Sequence, residues 1–165
     1  MEHHINSYFK GEKQGSLVFL GLGLVASVVA AVGWWYFADA FWQGLAIPVG
    51  VIGLIQLFVG TTVYLRTDGQ LTALLRQFQE VPQKFAAEEG RRMAAVNRNF
   101  QTYRAVELSL FILGFVLLFL GTLGAWGDWT AGMGVGLASQ SALMLVLDSF
   151  AGWRGSLYEH QIKRL

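Results

Sequence analysis

The chain has 165 residues, of which 54% are hydrophobic and only 14% are charged, and its formal net charge is +1. A soluble domain carries about a quarter charged residues, so the composition indicates a membrane protein, organised as a single domain over residues 1–165. The near-neutral charge gives no general reason to expect nucleic acid as a partner. The chain contains no cysteine, which excludes disulfides, thiolate metal sites and cysteine nucleophiles.

Four apolar segments are long enough to cross a membrane, since a helical span needs about 20 apolar residues for a hydrocarbon core of about 30 Å. They lie at about residues 16–38, 44–65, 105–125 and 130–152. Helices are expected because these segments lack the apolar–polar alternation of barrel strands. We interpret the first segment as a retained span and not as a cleaved signal peptide. The predicted fold is an all-α integral membrane protein, an antiparallel four-helix transmembrane bundle.

Every lysine and arginine lies on one side of these spans. The basic residues precede the first span, lie between the second and third, or follow the fourth, whereas the opposite connections carry only Asp39 and Asp128 as charges. Because cytoplasmic flanks are enriched in basic residues, both termini and the long connection are predicted to be cytoplasmic. Tryptophans flank the opposite turns, as expected of interfacial anchors. This pattern predicts a multi-pass protein of a bacterial inner membrane.

The long connection, residues 66–104, is predicted to form a helical hairpin that extends into the cytoplasm. Pro82 divides it, and Asp68–Gly69 is expected to break or bend the chain after the second span. Two apolar faces recur at helical spacing and supply candidate contacts to a partner: Leu71, Leu74, Phe78, Met93, Val96 and Phe100. The two helices either pack on each other as a stalk or lie flat on anionic lipid.

Three polar residues are expected near the middle of the bilayer. Counted from the outer boundary, Ser27, Gln56 and Gln140 each lie about 15–18 Å deep. The simplest interpretation is a hydrogen-bonded clamp between the first, second and fourth spans, since an amide in hydrocarbon needs a partner. A small polar ligand site or a pore lining is the alternative.

A second group of candidates is charged and lies near the inner edge of the hydrocarbon. Glu107 and Asp148 are each about 27–30 Å from the outer boundary, at the depth of Arg66, Arg104 and Arg154. The simplest interpretation is that these residues form ion pairs around the inner end of the spans. The desolvation cost would be low, because charged side chains near the end of a span can reach water. Asp148 has no basic residue within four positions, so its partner is expected on another helix or in a translocated or bound cation.

Catalytic patterns are weak, and no cofactor is expected. The three histidines, His3, His4 and His160, all lie in the terminal segments, and no metal-ligand spacing occurs within the spans. The cluster Tyr158–Glu159–His160 is the one we would test for lipid-modifying chemistry. Nucleic-acid binding by the long connection is not expected, because its basic residues are interspersed with carboxylates.

The sequence therefore predicts a non-enzymatic interaction protein. It would be an accessory subunit, or a protective factor of the immunity type, that contacts the lipid bilayer and either a membrane-protein partner or copies of itself. Stripes of small residues on the spans and the amphipathic hairpin motivate this hypothesis. The alternative is an oligomeric channel or a proton- or cation-coupled transporter that uses Asp148 and Glu107.

Overall fold

The fold is all-helical in a computed structural model that describes residues 1–37, 39–124 and 126–164. Four long helices follow one another: α1 Glu2–Val32, α2 Ala40–Glu80, α3 Pro82–Thr122 and α4 Gly127–Ile162. A π-helical turn, Gly33–Phe37, extends α1. All four helices are long and apolar enough to cross a membrane, which indicates a multi-pass membrane protein. The predicted span ends at residues 38 and 125 lie outside the described residues.

The two middle helices are about twice as long as a membrane requires. Each has 41 residues, or about 62 Å at 1.5 Å per residue. Pro82 is the first residue of α3, where its missing N–H costs nothing. The turn between α2 and α3 therefore lies far from the apolar section of the molecule, residues 16–65 and 105–152.

The break expected at Asp68–Gly69 is wrong, because α2 continues unbroken to Glu80. Asp68 lies within this continuous helix and pairs with Lys13 of α1 at 2.5 Å. One glycine inside a helix costs about 1 kcal/mol. Burial of the leucines and the phenylalanine that follow it on α2 outweighs that cost.

Small residues bring the helices close together in the apolar section. Gly53 of α2 lies against Gly23 of α1, and Gly60 lies against Ser16. The contact on α1 therefore moves from residue 23 back to residue 16 as the contact on α2 moves forward from residue 53 to residue 60. In the described part of the chain, the backbones of α1 and α3 do not come close to each other, although side chains of both helices meet in the core described next.

The polar segments come together in a bundle of their own, which we call the charged bundle (residues 1–15, 66–104 and 153–164). Its core contains residues from α1, α3 and α4: Ile5, Phe9, Phe85, Met93, Tyr158 and Ile162. Side chains of α2 pack against this core. Residues 1–15 and 153–164 are therefore parts of the same packed unit as the hairpin.

Candidate functional site

Two acidic side chains meet where α3 packs on α4, at the border between the apolar section and the charged bundle. Glu107 and Asp148 are each 7% exposed. Their carboxyl groups face each other at hydrogen-bonding distance. Within the described part of the chain, Glu107 Oε2 is enclosed and has no hydrogen-bond partner. The structure thus joins the two residues that the sequence placed at one depth.

The three arginines predicted at the same depth are not ion-paired with these carboxyl groups. Arg66 instead donates to Glu12 at 3.2 Å. The side chain of Arg154 lies along α1, over Gly11. Arg104 is exposed, and its Nε donates to a backbone carbonyl of its own helix at 3.3 Å. Arg104 is still near enough to attract both carboxylates electrostatically.

The α3–α4 contact closes tightly on the side of the pair away from the charged bundle. A methyl group on Gly114 would come within 2.6 Å of the backbone nitrogen of Ala138. One on Gly121 would overlap the backbone of Ala131. The two helices thus leave no room for a side chain at either glycine.

The mid-depth polar residues do not form one network. Ser27 Oγ donates to the carbonyl of Gly23 in its own helix at 2.8 Å. Gln56 is fully buried, and its Nε2 donates to Met144 Sδ at 3.3 Å, which joins α2 to α4. Gln140 is 8% exposed, and its Oε1 has no partner among the described residues. A ligand site shared by all three stays a prediction.

The residues predicted to contact a partner point into the charged bundle. Met93 is fully buried there. Four more pack against the same core: Leu71, Leu74, Phe78 and Val96. Phe100 lies against Gly152 of α4. Helices of this chain therefore cover these apolar faces, as they would if the two helices of the hairpin packed on each other. The role of these residues in partner binding stays a prediction.

A buried polar cluster that the sequence did not indicate lies inside the charged bundle. Arg92 donates two hydrogen bonds to Glu89, at 2.6 and 2.7 Å, although Glu89 is only 2% exposed. The guanidinium also lies over the ring of Phe9, 5.8 Å from its centroid. Tyr158 stacks on Tyr8 beside this pair. The cluster joins α1, α3 and α4.

The environment of this cluster shifts the ionisation of its members. Burial, with a contribution from Glu12, raises the pKa of Tyr8 to about 12. Burial also raises the pKa of Tyr158, and the nearby Glu89 carboxylate adds to the shift. Burial alone would lower the pKa of Arg92, but the hydrogen bond to Glu89 together with the charge of Glu89 and smaller contributions from Tyr8 and Glu12 outweighs burial and raises that pKa. Both tyrosines therefore stay neutral at ordinary pH, while the Arg92 guanidinium stays charged.

The terminal cluster considered for lipid-modifying chemistry does not converge on one point. Tyr158 is buried in the core, whereas His160 is exposed. Glu159 accepts hydrogen bonds from Lys163 at 2.6 Å and from Asn97 at 2.5 Å, and these bonds lower its pKa. Each side chain thus has a separate structural environment.

A surface groove of about 630 Å³ lies along α2 and reaches the start of α3. Its lining residues are Gly69, Thr72, Ala73, Arg76, Gln77, Glu80, Val81 and Lys84. A methyl group on Gly69 would meet nothing within 4 Å, so this face of the helix is uncovered. The groove contains both small residues and charged groups.

Comparison of the chain with models of known protein families, with curated proteins and with solved structures gave no match. Among residues 1–37, 39–124 and 126–164, no group of three or more histidine and carboxylate side chains could hold a metal ion. The carboxyl pair, the charged bundle and the groove are the features of the described residues that bear on function.

Proposed function

We propose that this is a multi-pass protein of a bacterial inner membrane, an antiparallel bundle with both termini and the charged bundle in the cytoplasm. The support is the location of every lysine and arginine within the charged bundle. Exposed tryptophans at the opposite end agree with this orientation: Trp34, Trp35, Trp126 and Trp129.

Within that membrane we propose a non-enzymatic interaction function, as an accessory subunit or a protective factor of the immunity type. The groove along α2 is the observation that carries this proposal. Gly69 and Ala73 leave room for another helix to approach closely, and Arg76 and Lys84 supply charge at the rim. The cytoplasmic part of a second membrane protein, or another copy of this chain, fits such a surface.

The test compares two substitutions at exposed alanines of the charged bundle. Ala73→Trp fills the groove, whereas Ala95→Trp adds the same bulk on α3 outside the groove lining. Each variant, tagged through a flexible linker, is purified gently from native membranes, and the mass and composition of the complex are measured. We expect wild type and Ala95→Trp to retain a stoichiometric partner or a second copy, and Ala73→Trp to lose it.

Equal recovery of the complex with both variants would remove the groove from the proposal. A monomer without any partner in the wild type would contradict the interaction function itself. Matching helicity and melting temperature of the two variants ensure that a loss of binding is not a loss of folding.

The second candidate is an oligomeric channel or a proton- or cation-coupled transporter. The facing carboxyl groups of Glu107 and Asp148 favour it, because ionisable groups within membrane spans often mark ion pathways. Flux into liposomes that contain the purified protein tests this candidate. We expect Asp148→Asn to abolish such flux, and no flux with wild type would exclude the candidate.

A further inference from the structure

The carboxyl pair lacks the groups that usually neutralise buried acids. Within the described residues, neither Glu107 nor Asp148 has a lysine, arginine or histidine nitrogen within 4.0 Å. The enclosed Oε2 of Glu107 also receives no hydrogen bond from a backbone or side-chain donor. An acceptor oxygen in such a place is costly unless something else donates to it.

Two bare carboxylates cannot persist in this geometry. Like charges at hydrogen-bonding distance repel strongly in a low-dielectric interior, so one positive charge must lie between them or on one of them. Arg104 does not supply it by contact, because its side chain is exposed and bonded to its own helix. The missing charge must therefore come from an exchangeable cation.

The surroundings indicate the side from which such a cation enters. Beyond the pair, close contacts such as Gly114 on Ala138 seal the α3–α4 interface. Towards the charged bundle the contact is looser, because a methyl group on Gly152 would lie 3.4 Å from Phe100 Cβ. The exposed Arg104 also lies on this side. Arg104 is the only charged group that the geometry places close to the two carboxylates in the described part of the chain.

We propose that Glu107 and Asp148 form a binding site for one exchangeable monovalent cation, a proton or Na⁺, reached from the charged bundle. The two occupants share their chemistry, since each places one positive charge between two carboxylate oxygens. The site is independent of partner binding at the groove and is the ion site that the transport candidate requires.

The experiment is infrared spectroscopy of the folded protein at neutral pH in choline chloride, with attention to the C=O band of a protonated carboxyl group. We expect wild type to show the band, because without a metal ion the pair retains a proton. Glu107→Gln and Asp148→Asn should each lose it, since the remaining carboxyl group no longer has a negative neighbour. Glu88→Gln, at an exposed carboxylate, should leave it unchanged.

Replacing choline by Na⁺ at equal ionic strength distinguishes the two occupants. Loss of the band in Na⁺ assigns the metal ion as an occupant, and an unchanged band assigns the proton alone. No band from wild type in choline would overturn the proposal. A band that survives in both single variants would overturn the shared site, because burial alone would then explain it.

The wild-type measurement in choline needs no variant, so the absence of a band there overturns the proposal even if a substitution disturbs folding. Copurification of a partner with Asp148→Asn is expected to continue. Failure of the ion site and failure of the interaction function therefore give different results.

Discussion

Tyr8 and Tyr158 stack in the core of the charged bundle, with ring centroids 4.5 Å apart and ring planes at 11°. Tyr8 lies near the start of α1, and Tyr158 lies near the end of α4. The contact therefore joins the two ends of the chain. The core of the charged bundle therefore contains side chains from both terminal segments as well as from the hairpin between α2 and α3.

Truncating this stack should destabilise the charged bundle. Tyr158→Ala leaves a cavity among large side chains and is expected to cost about 3–5 kcal/mol. Tyr158→Phe keeps the ring and removes a hydroxyl that is enclosed without a hydrogen-bond partner in the described residues, so its effect should stay within about 1 kcal/mol. Urea unfolding in detergent, followed by circular dichroism, measures both. A large loss with the phenylalanine variant would show that the hydroxyl donates to Glu89.

The same residues predict alkaline instability. Folding raises the pKa of Tyr8 from 10.0 to about 12, so the folded state binds its proton more tightly than the unfolded state does. The contribution of Tyr8 to the free energy of unfolding should be constant below about pH 10 and fall as the pH rises from 10 to 12. The loss from Tyr8 reaches about 2–3 kcal/mol above that range. Unfolding of wild type and Tyr8→Phe across this range checks the prediction, and an identical slope in both would contradict it.

Hydropathy is sufficient to predict four long apolar helices, because each of them contains a long continuous stretch of apolar residues. It did not predict that the first fifteen residues are helical and packed. Ile5 and Phe9 lie four apart on one helical face, but two apolar residues in a polar stretch give little periodic signal. Their fit to Phe85 and Ile162 depends on tertiary contacts that one segment does not contain.

The pairing of the acidic residues was beyond sequence reasoning for a related reason. Depth counting placed Glu107 and Asp148 at one level but said nothing about their direction around each helix. Their direction follows from the close α3–α4 contact at Gly114 and Ala138. Glu89 and Arg92 were missed because a charged pair three residues apart usually indicates an exposed helix face.

Breaking the ion pair between Glu89 and Arg92 should lower the free energy of unfolding substantially. Glu89→Ala leaves the Arg92 guanidinium without a partner in a packed core, and we expect a loss of about 3 kcal/mol because Arg92 is partly exposed and regains some water. Glu80→Ala breaks an exposed pair with Arg76 and should cost at most about 0.5 kcal/mol. Thermal unfolding compares the two. Similar losses would contradict the burial of the Glu89 pair.

The contact between α2 and α4 should tolerate no added methyl group. A Cβ on Gly132 would overlap the carbonyl oxygen of Phe41, so Gly132→Ala should force the helices apart at a cost of about 1–3 kcal/mol. The control is Gly21→Ala, where a methyl meets nothing within 4 Å. That change should be neutral or stabilise the helix by up to about 1 kcal/mol. Unfolding in mixed detergent micelles measures both, and a neutral Gly132→Ala would contradict this contact.

The proposed orientation predicts which single cysteines react with an impermeant maleimide. The chain has no cysteine of its own, so any labelling of a single-cysteine variant comes from the introduced thiol. Gln83→Cys lies at the α2–α3 turn and Asp128→Cys in the first turn of α4, and both positions are exposed.

With intact cells stripped of their outer membrane, we expect labelling of the residue 128 variant only; with inverted vesicles, we expect labelling of the residue 83 variant only. The reverse pattern would place the charged bundle outside the cytoplasm, and the cation site would then be reached from the opposite side of the membrane. Labelling of both variants in intact cells would contradict the membrane-spanning arrangement itself.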